Sequence, residues 1–393
     1  MVSASASTPE TEPVRLGMVG GGEGAFIGAV HRMAARLDGH YRLVAGAFSS
    51  DPDRARRSGI ALGLEPARCY ADFATMAKAE GRRRDGIEAV AIVTPNHLHA
   101  PVALAFLKAG IHVICDKPLT ATLKEARALA RAAAASGKVF CVTYNYSGYP
   151  MIRQARAMVA AGQLGAIRVV QVEYVQDWLT TALEREGSKQ AGWRTDPVQA
   201  GAGCIGDIGT HAFHLAGFVT GLQPESLCAE LTTFVPGRRV DDNVQVLLRY
   251  PGGARGMLWA SQVAPGNGNN LRLRVYGEKG GLEWRQETPE ELVWSPFGEP
   301  PRILRRAGPG LSADAAAVTR IPSGHPEGYL EAFATLYTEA AVAIRAARAG
   351  RSTSGLFPGV EAGLAGVAFI AAAQRSAERG SAWVRLDADG GRG

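Results

Sequence analysis

The sequence predicts a two-domain α/β plus α+β fold, in which a doubly wound parallel sheet precedes a largely antiparallel sheet. Three observations predict it. Residues 14–144 alternate short apolar runs with segments of helical spacing, the pattern of strands joined by helices. After residue 150, longer runs alternate apolar and polar residues, as antiparallel strands with one buried face do. A triple glycine follows the first apolar run directly.

The first domain is expected to span residues 14–144 and to form a Rossmann sheet. Strand–helix alternation of this kind implies parallel strands with right-handed crossovers. Gly110 and Gly137 follow two of the helical segments, where helix C-caps belong. The expected strands are 14–20, 42–48, 87–93, 111–115 and 139–144, and the expected helices are 27–37, 53–62, 100–109 and 123–136.

The second domain, residues 145–390, is expected to bind substrate and to mediate oligomerisation. Its pattern predicts an open-faced sheet with helices on one side. A monomer would expose the other face, so a homodimer or homotetramer is expected. Residues 299–326, rich in Pro, Gly and Arg, are expected to form a long surface loop. The expected strands are 167–178, 244–250, 256–263, 271–276 and 281–284, and the expected helices are 151–161, 329–347 and 361–377.

Composition excludes several classes of function. The formal charge is +6, but the basic residues are scattered and lack interleaved aromatic residues, which argues against nucleic-acid binding and suits an anionic cofactor. No uncharged apolar run has bilayer length, so no membrane association is expected. Residues 1–13 lack a basic start and an apolar core, which predicts a disordered tail and not a signal peptide. Five cysteines without a CxxC pair indicate a reducing, cytoplasmic location.

A glycine-rich loop follows the first strand. Gly20 and Gly22 stand where a tight turn lets backbone N–H groups approach a pyrophosphate at a helix N-terminus. Gly28 is displaced by a short insertion; preceded by Phe26 and Ile27, it would pack the helix on the strand. The loop, between its strand and its helix, predicts a dinucleotide site.

The end of the second strand bears on which dinucleotide binds. Ser49, Ser50 and Asp51 stand where an acidic residue would bind the ribose 2′-OH of NAD. Serine tolerates a 2′-phosphate, and the arginines of the following helix could attract one, whereas Asp51 could serve the free diol. NAD and NADP therefore both remain open.

Three residues from distant parts of the chain form a plausible acid–base set. Lys117 comes just after the strand 111–115, and a cation at a strand's carboxyl end lies where open α/β sheets bind ligands. Asp207 and His211 stand at i and i+4, on one face if that segment is helical. Together these groups can move a proton from a hydroxyl group. The combination indicates a dehydrogenase.

Further motifs complete a pattern that resembles a known family. They are Thr-Pro-Asn-His-Leu-His at 94–99, Asp-Lys-Pro at 116–118, Tyr-Asn-Tyr at 144–146, Trp-Arg at 193–194 and Gly-Cys-Ile-Gly-Asp-Ile-Gly-Thr-His at 203–211. Over nearly its whole length the chain resembles the Gfo/Idh/MocA oxidoreductases, named for glucose–fructose oxidoreductase and inositol dehydrogenase. It departs from the family in having Asp-Lys-Pro for Glu-Lys-Pro. It also has His214 where many members have Asp, which leaves substrate contacts there open.

The resemblance implies an NAD(P)-dependent dehydrogenase acting on CH–OH groups. His211 would be the general base toward the substrate hydroxyl, Asp207 would orient the imidazole, and Lys117 would hold the same oxygen. The implied cofactor-binding residues are Gly20, Gly22, Phe26, Ile27, Ser49, Ser50, Thr94, Pro95, Asn96, His99, Asp116 and Lys117.

The substrate is expected to be a sugar, a sugar derivative or a polyol such as a cyclitol. Sugar recognition pairs neutral hydrogen-bonding groups with aromatic faces, although Arg194 could instead bind a carboxylate. No third ligand accompanies the pairs His97/His99 and His211/His214, so no metal is expected. The expected substrate-binding residues are Lys117, Tyr144, Asn145, Trp193, Arg194, Asp207 and His211, with Tyr149 and Gln176 as further candidates.

Two other functions fit the same fold. One is an NAD-dependent glycoside hydrolase, which would oxidise a ring hydroxyl transiently. The other is a non-catalytic regulator that senses a sugar or a nucleotide. A regulator would be expected to lose the catalytic lysine, and Lys117 is present.

Overall fold

The computed structural model describes residues 12–352 and 355–386, which form two sheets with their helices. Residues 1–11 of the expected tail and the last residues of the expected second domain lie outside the described part. In the described ranges, no helix is both long and apolar enough to span a bilayer.

The first sheet has five parallel strands in the order β2-β1-β3-β4-β5, which confirms the predicted Rossmann architecture. Its strands, buried on both faces by helices, are almost continuously apolar. They are β1 Val14–Gly20, β2 Tyr41–Ala47, β3 Ala89–Val93, β4 His112–Cys115 and β5 Phe140–Val142.

The helices of this sheet follow the expected spacing, with one omission. The sequence prediction missed α3, whose eight residues show too little periodicity to stand out; its N-cap is Asp72, which accepts a hydrogen bond from the Thr75 amide. The helices are α1 Phe26–Leu37, α2 Pro52–Ala61, α3 Phe73–Glu80, α4 His99–Lys108 and α5 Leu123–Ser136.

The strand order reverses between β1 and β3, which is where an open α/β sheet binds its ligands. Gly20 pairs with Val93, so the glycine loop after β1 adjoins the loop that begins at Thr94 after β3. The register of the sheet therefore brings two predicted cofactor segments together.

The second sheet has nine strands in the order β13-β12-β11-β10-β6-β9-β8-β7-β14. Its neighbours are antiparallel except β6 and β9, which run parallel. The strands are β6 Ile167–Val175, β7 Ser226–Thr232, β8 Asn243–Arg249, β9 Arg255–Ser261, β10 Asn270–Gly277, β11 Gly280–Arg285, β12 Glu291–Pro296, β13 Arg302–Arg305 and β14 Val384–Arg385.

Helices α6, α9 and α12 cover one face of this sheet, as predicted. Helix α11 instead packs on α1 of the first domain, where Tyr337 accepts a hydrogen bond from Tyr41 at its carbonyl oxygen (2.9 Å). The helices of this part are α6 Pro150–Ala160, α7 Lys189–Arg194, α8 Pro197–Ala200, α9 Thr210–Thr220, α10 Ala313–Ala317, α11 Tyr329–Arg348 and α12 Val360–Glu378.

The expectation of a long loop at 299–326 was partly wrong. The segment contains β13, an edge strand of four residues, and the short helix α10. The Arg306 side chain holds this segment in place. Its buried guanidinium binds the carboxylates of Glu290 and Glu327 and donates to the carbonyl oxygen of Ile321. The sequence prediction also missed β7, β12 and the two-residue edge strand β14.

Candidate active site

The glycine loop has the close packing that only glycine allows. Gly20 and Gly21 have φ angles of 81° and 71°, in the region that favours glycine. A Cβ on Gly28 would lie 2.3 Å from the Cα of Gly21, and one on Gly22 would lie 2.8 Å from the Phe48 carbonyl oxygen. Helix α1 can therefore begin directly against the loop, with its N-terminal amides facing the place where a pyrophosphate binds.

Two further features of this loop bear on cofactor binding. Phe26, at the start of α1, is 66% exposed, and Ile27 is half-buried, so both offer apolar surface beside the loop. Arg32, which the sequence reasoning missed, donates from its guanidinium to the Gly21 carbonyl oxygen at 2.6 Å. Arg32 stands one turn after Gly28 in α1, and this position was the signal in the sequence that its side chain could contact the glycine loop.

The end of β2 is occupied by a local network of hydrogen bonds. The Ser49 hydroxyl accepts from the Asp51 amide at 3.1 Å, and the Asp51 carboxylate caps α2 by accepting from the Arg54 amide at 2.8 Å. This backbone hydrogen bond lowers the pKa of Asp51. Ser50 is exposed and makes no such contact.

The loop after β3 is tied to its surroundings by two of its predicted cofactor residues. His99 is fully buried, and its ring nitrogens lie 2.8 Å from the Pro118 carbonyl oxygen and 2.9 Å from that of Thr94. His99 thus joins two loops, and both of its ring nitrogens face backbone carbonyl oxygens. The side-chain amide of Asn96 donates to the Ala200 carbonyl oxygen at 2.8 Å and so links the two domains.

The Asp116 carboxylate, another predicted cofactor contact, shapes the turn at the end of β4. One of its oxygens accepts from the Lys117 amide and from the Thr143 hydroxyl, both at 2.9 Å. The turn holds the Lys117 side chain toward the second domain.

Lys117 and Asp207 are in direct contact. The ammonium donates to the Asp207 carbonyl oxygen at 2.5 Å and to its Oδ1 at 3.1 Å. Asp207 lies in a π-helical turn, Ile205–Gly209, that leads into α9. Burial alone would raise the pKa of Asp207, but the Lys117 and Arg194 cations outweigh it and hold that pKa well below its usual range.

His211 lies one turn further on, at the start of α9. It is 7% exposed, and its Nδ1 has no hydrogen-bond partner among the described residues. Burial, and secondly the Lys117 cation, lower the pKa of His211 well below its ordinary value. The imidazole is therefore neutral at neutral pH.

The structure differs from the expectation that Asp207 orients His211. In the described structure no hydrogen bond joins the two residues. Instead the second carboxylate oxygen, Oδ2, accepts from the Gln262 amide at 2.8 Å and lies 3.4 Å from Nε of Arg194. The ring of Tyr146 contacts His211 edge-on, with the centroids 4.9 Å apart.

Tyr144 does not occupy the substrate position predicted for it. Its side chain is fully buried, and its hydroxyl hydrogen-bonds to that of Thr210 at 2.8 Å. His214 stacks on the Tyr144 ring at 4.2 Å, so it lies behind His211. Burial, with the cations Arg153 and Arg156, lowers the pKa of His214 to about 3.

Two other predicted substrate residues, Trp193 and Arg194, lie beside Asp207. The Arg194 guanidinium lies 4.3 Å from the centroid of the Trp193 ring and pairs with Asp207. Gln176 and Tyr149 hydrogen-bond within the protein, to Asn269 at 2.7 Å and to Gln286 at 3.4 Å respectively. Tyr149 is 2% exposed, and its ring stacks on that of Tyr146, which contacts His211.

Unpartnered polar atoms cluster at this edge of the parallel sheet. Among the described residues, eight buried side-chain nitrogen or oxygen atoms lack a hydrogen-bond partner, and four of them are Thr94 Oγ1, His97 Nδ1, Asn145 Nδ2 and His211 Nδ1. Because buried polar groups are nearly always paired, these atoms and the glycine cradle fit a bound dinucleotide and a polar substrate. No group of histidine, cysteine and carboxylate side chains in the described ranges could hold a metal.

Comparison with known proteins identifies close relatives. Residues 14–144 match the oxidoreductase family with an NAD-binding Rossmann fold, and residues 152–283 match the GFO/IDH/MocA C-terminal domain. An uncharacterised oxidoreductase of Bacillus subtilis, YfiI, is 37% identical over 96% of this chain and 98% of its own length.

Two solved structures are similar over nearly all of the chain. An oxidoreductase from Sinorhizobium meliloti is 55% identical, with a TM-score of 0.86, over 95% of this chain and all of its own. An inositol dehydrogenase homologue from Azotobacter vinelandii, in complex with NADH and myo-inositol, is 39% identical, with a TM-score of 0.89, over 96% of this chain and 99% of its own.

Proposed function

The chain belongs to the Gfo/Idh/MocA family of NAD-binding oxidoreductases, and on that premise we propose that its substrate is a sugar, a sugar derivative or a cyclitol oxidised at a secondary hydroxyl. The observation that carries the proposal is the contact of Lys117 with Asp207 beside a neutral, buried His211. When bound, NAD accepts a hydride from the carbon that bears the hydroxyl group.

Lys117 is suited to hold the substrate oxygen. An ammonium group has three donors, and Asp207 takes two of them. The third donor remains for the oxygen of the substrate, where positive charge stabilises a developing alkoxide. Asp207 keeps the lysine in place and balances its charge.

His211 is suited to take the hydroxyl proton. A neutral imidazole accepts a proton from a hydroxyl within hydrogen-bond reach, and burial of the ring excludes competing water. The unpartnered Nδ1 offers a hydrogen-bonding position that the protein itself does not use.

The polar and aromatic surroundings favour a neutral polyhydroxylated substrate. Arg194 is paired with Asp207, so it is less available for a substrate carboxylate than its sequence position suggested. Asn145 Nδ2 offers a buried donor, and the Trp193 ring lies against the Arg194 guanidinium beside Asp207. A myo-inositol complex of a relative with the same fold supports the substrate class.

The experiment that tests the proposal is NADH formation across a panel of inositols, aldoses and ketoses, with analysis of the carbon product. We expect net reduction of NAD with one or a few of them. An NAD-dependent glycoside hydrolase is the second candidate; it would cleave a glycoside without accumulating NADH. A sensing regulator would bind NAD and a sugar without turnover.

The exposed side chain of Ser50 is expected to influence the choice between NAD and NADP. A Ser50→Asp substitution places a negative charge at the end of β2, so it should repel a 2′-phosphate and raise the preference for NAD by about tenfold, which corresponds to ~1.4 kcal/mol. Calorimetry with both dinucleotides measures the ratio. Ser50→Asn, of equal size but uncharged, is the control. An unchanged ratio in Ser50→Asp would mean that Ser50 does not face the ribose.

The uncovered face of the nine-stranded sheet is expected to form an interface between copies of the chain. Leu247, Met257 and Trp259 alternate with buried residues of β8 and β9, and they point away from the helices with 48%, 43% and 36% exposure. Apolar side chains aligned on one face favour self-association.

Light scattering at micromolar concentration should therefore give a multiple of the mass of one chain. Leu247→Glu should shift the protein toward monomer, whereas Ile60→Glu, at an equally exposed (48%) position on α2, should not. A wild-type protein that is cleanly monomeric would refute this interface.

A further inference from the structure

Gln262 contacts the Asp207 carboxylate from the side opposite Lys117. We propose that Gln262 is a positioning residue, which holds Asp207 on the ammonium of Lys117 and away from the ring of His211. The Gln262 amide donates to Oδ2 of Asp207 at 2.8 Å, while Lys117 binds Oδ1 at 3.1 Å. The inference rests on the proposed function of Lys117 and His211.

Two donors on opposite oxygens fix the rotation of a carboxylate about its last side-chain bond. With Gln262 in place, Asp207 cannot turn an oxygen toward Nδ1 of His211 without breaking a hydrogen bond. Gln262 is 2% exposed, so water does not readily replace its amide. Nε of Arg194 lies 3.4 Å from the same oxygen, beyond ordinary hydrogen-bond length, so the short hydrogen bond to Oδ2 comes from Gln262, a residue just after β9 and far from the Asp-x-x-x-His motif in sequence.

The backbone of Gln262 is held on both sides. Its amide donates to the Asp242 carbonyl oxygen at 2.9 Å, and its own carbonyl oxygen accepts from the Leu179 amide at 3.0 Å. The guanidinium of Arg238, whose side chain is fully buried, binds both neighbours: the Asp242 carboxylate at 3.1 Å and the Leu179 carbonyl oxygen at 3.0 Å. Because the backbone of Gln262 is fixed, its side-chain amide can hold the Asp207 carboxylate in one orientation.

The backbone of Asp207 is held independently. Asp241 accepts hydrogen bonds from the amides of Gly203 and Ile205 at 2.9 and 2.8 Å through its carboxylate, and from the Cys204 amide at 2.8 Å through its carbonyl oxygen. These amides enter the π-helical turn that carries Asp207. Because the turn is anchored this way, loss of the Gln262 side-chain amide should leave Oδ2 of Asp207 to the longer Arg194 contact, while the backbone of Asp207 stays in place.

Gln262→Met removes the donor with little change in volume. We expect kcat to fall about ten- to hundredfold, as for a misplaced catalytic group, with NADH affinity unchanged by calorimetry. The freed carboxylate can approach His211, so the histidine pKa should rise, which NMR of the ring measures without any turnover. Gln154→Met is the matched control: Gln154 is 5% exposed, and its side chain accepts a hydrogen bond from the Ser312 amide at 2.7 Å.

Gln262→Glu gives a second test, in which turnover should depend on pH. Because glutamate has the size of glutamine, this test remains available if the methionine variant does not fold. Two adjacent carboxylates share a proton readily, so one of their pKa values is raised. Once protonated, the glutamic acid can donate to Asp207 as the amide did. The turnover of Gln262→Glu, relative to that of wild type, should therefore recover as the pH falls.

Equal kcat, pH profile and His211 titration in the Gln262 and Gln154 variants would overturn the positioning role. If wild-type protein turned over none of the polyols, the proposed function would fail instead, and the two failures are distinguishable. The NMR titration of His211 tests the positioning role in either case.

Discussion

Replacing Lys117 by methionine is expected to lower kcat by about two to four powers of ten, the span typical of a group that assists proton transfer and stabilises charge. The variant keeps an apolar stem of similar length but loses the donor for the substrate oxygen. Steady-state kinetics on the best substrate of the panel measures the change. Lys124→Met, an exposed lysine on α5, is the control and should retain wild-type turnover.

The same variant has a second, independent signature. Lys117 is one of the causes of the lowered pKa of His211, so its removal should raise that pKa. In wild type the neutral, active form of His211 persists to acidic pH, because a group with a lowered pKa gains its proton only when the pH falls further. The acid limb of kcat/KM for oxidation should thus lie well below pH ~6.5, the ordinary histidine value, and move upward in Lys117→Met. If the acid limb of kcat/KM did not move in Lys117→Met, the charge of Lys117 would not be a cause of the lowered pKa of His211.

Replacing His211 by asparagine is the second large expected effect. Turnover should again fall by about two to four powers of ten, because the general base is lost while a hydrogen-bonding group remains. Affinity for NADH should change little, since His211 belongs to the second domain and faces the place of the substrate. Calorimetry and kinetics on the same preparation test both statements, with His325→Asn, an exposed histidine, as the control.

Near-normal turnover in His211→Asn would assign the proton transfer to Lys117 alone or to water. A joint loss of turnover and NADH affinity would instead indicate a disturbed fold at the start of α9.

The architecture was predictable because local patterns determine it. Strand β1 was predicted to the residue, and the other four strands of the first sheet within one or two, since buried parallel strands are nearly continuous apolar runs between helices. The glycine loop needed no tertiary information, because the packing of Gly21 on Gly28 follows from a strand, a tight turn and a helix in sequence. The short elements α3 and β13 escaped because they span too few residues for a period to show.

The sequence predicts that Lys117, Asp207 and His211 belong to one site, but it does not predict the partners of individual side chains, such as the contact of Lys117 with Asp207. His99 could have faced either the cofactor or the interior, and tertiary packing turned both its nitrogens onto backbone carbonyl oxygens. The sequence predicts Tyr144 as a substrate residue, whereas in the structure its hydroxyl hydrogen-bonds to that of Thr210. Gln262 had no motif to mark it, because it reaches Asp207 only through the pairing of distant strands.

Transfer of deuterium is the most direct measurement of the central claim, net hydride transfer from a secondary alcohol carbon to NAD. The substrate is labelled at the carbon that the panel identifies as oxidised, and both products are analysed by mass spectrometry. The account predicts a ketone and deuterated NADH in equal amounts, with both formed about two to four powers of ten more slowly in Lys117→Met. Unlabelled NADH, or cleavage of a glycoside with no accumulated NADH, would contradict it.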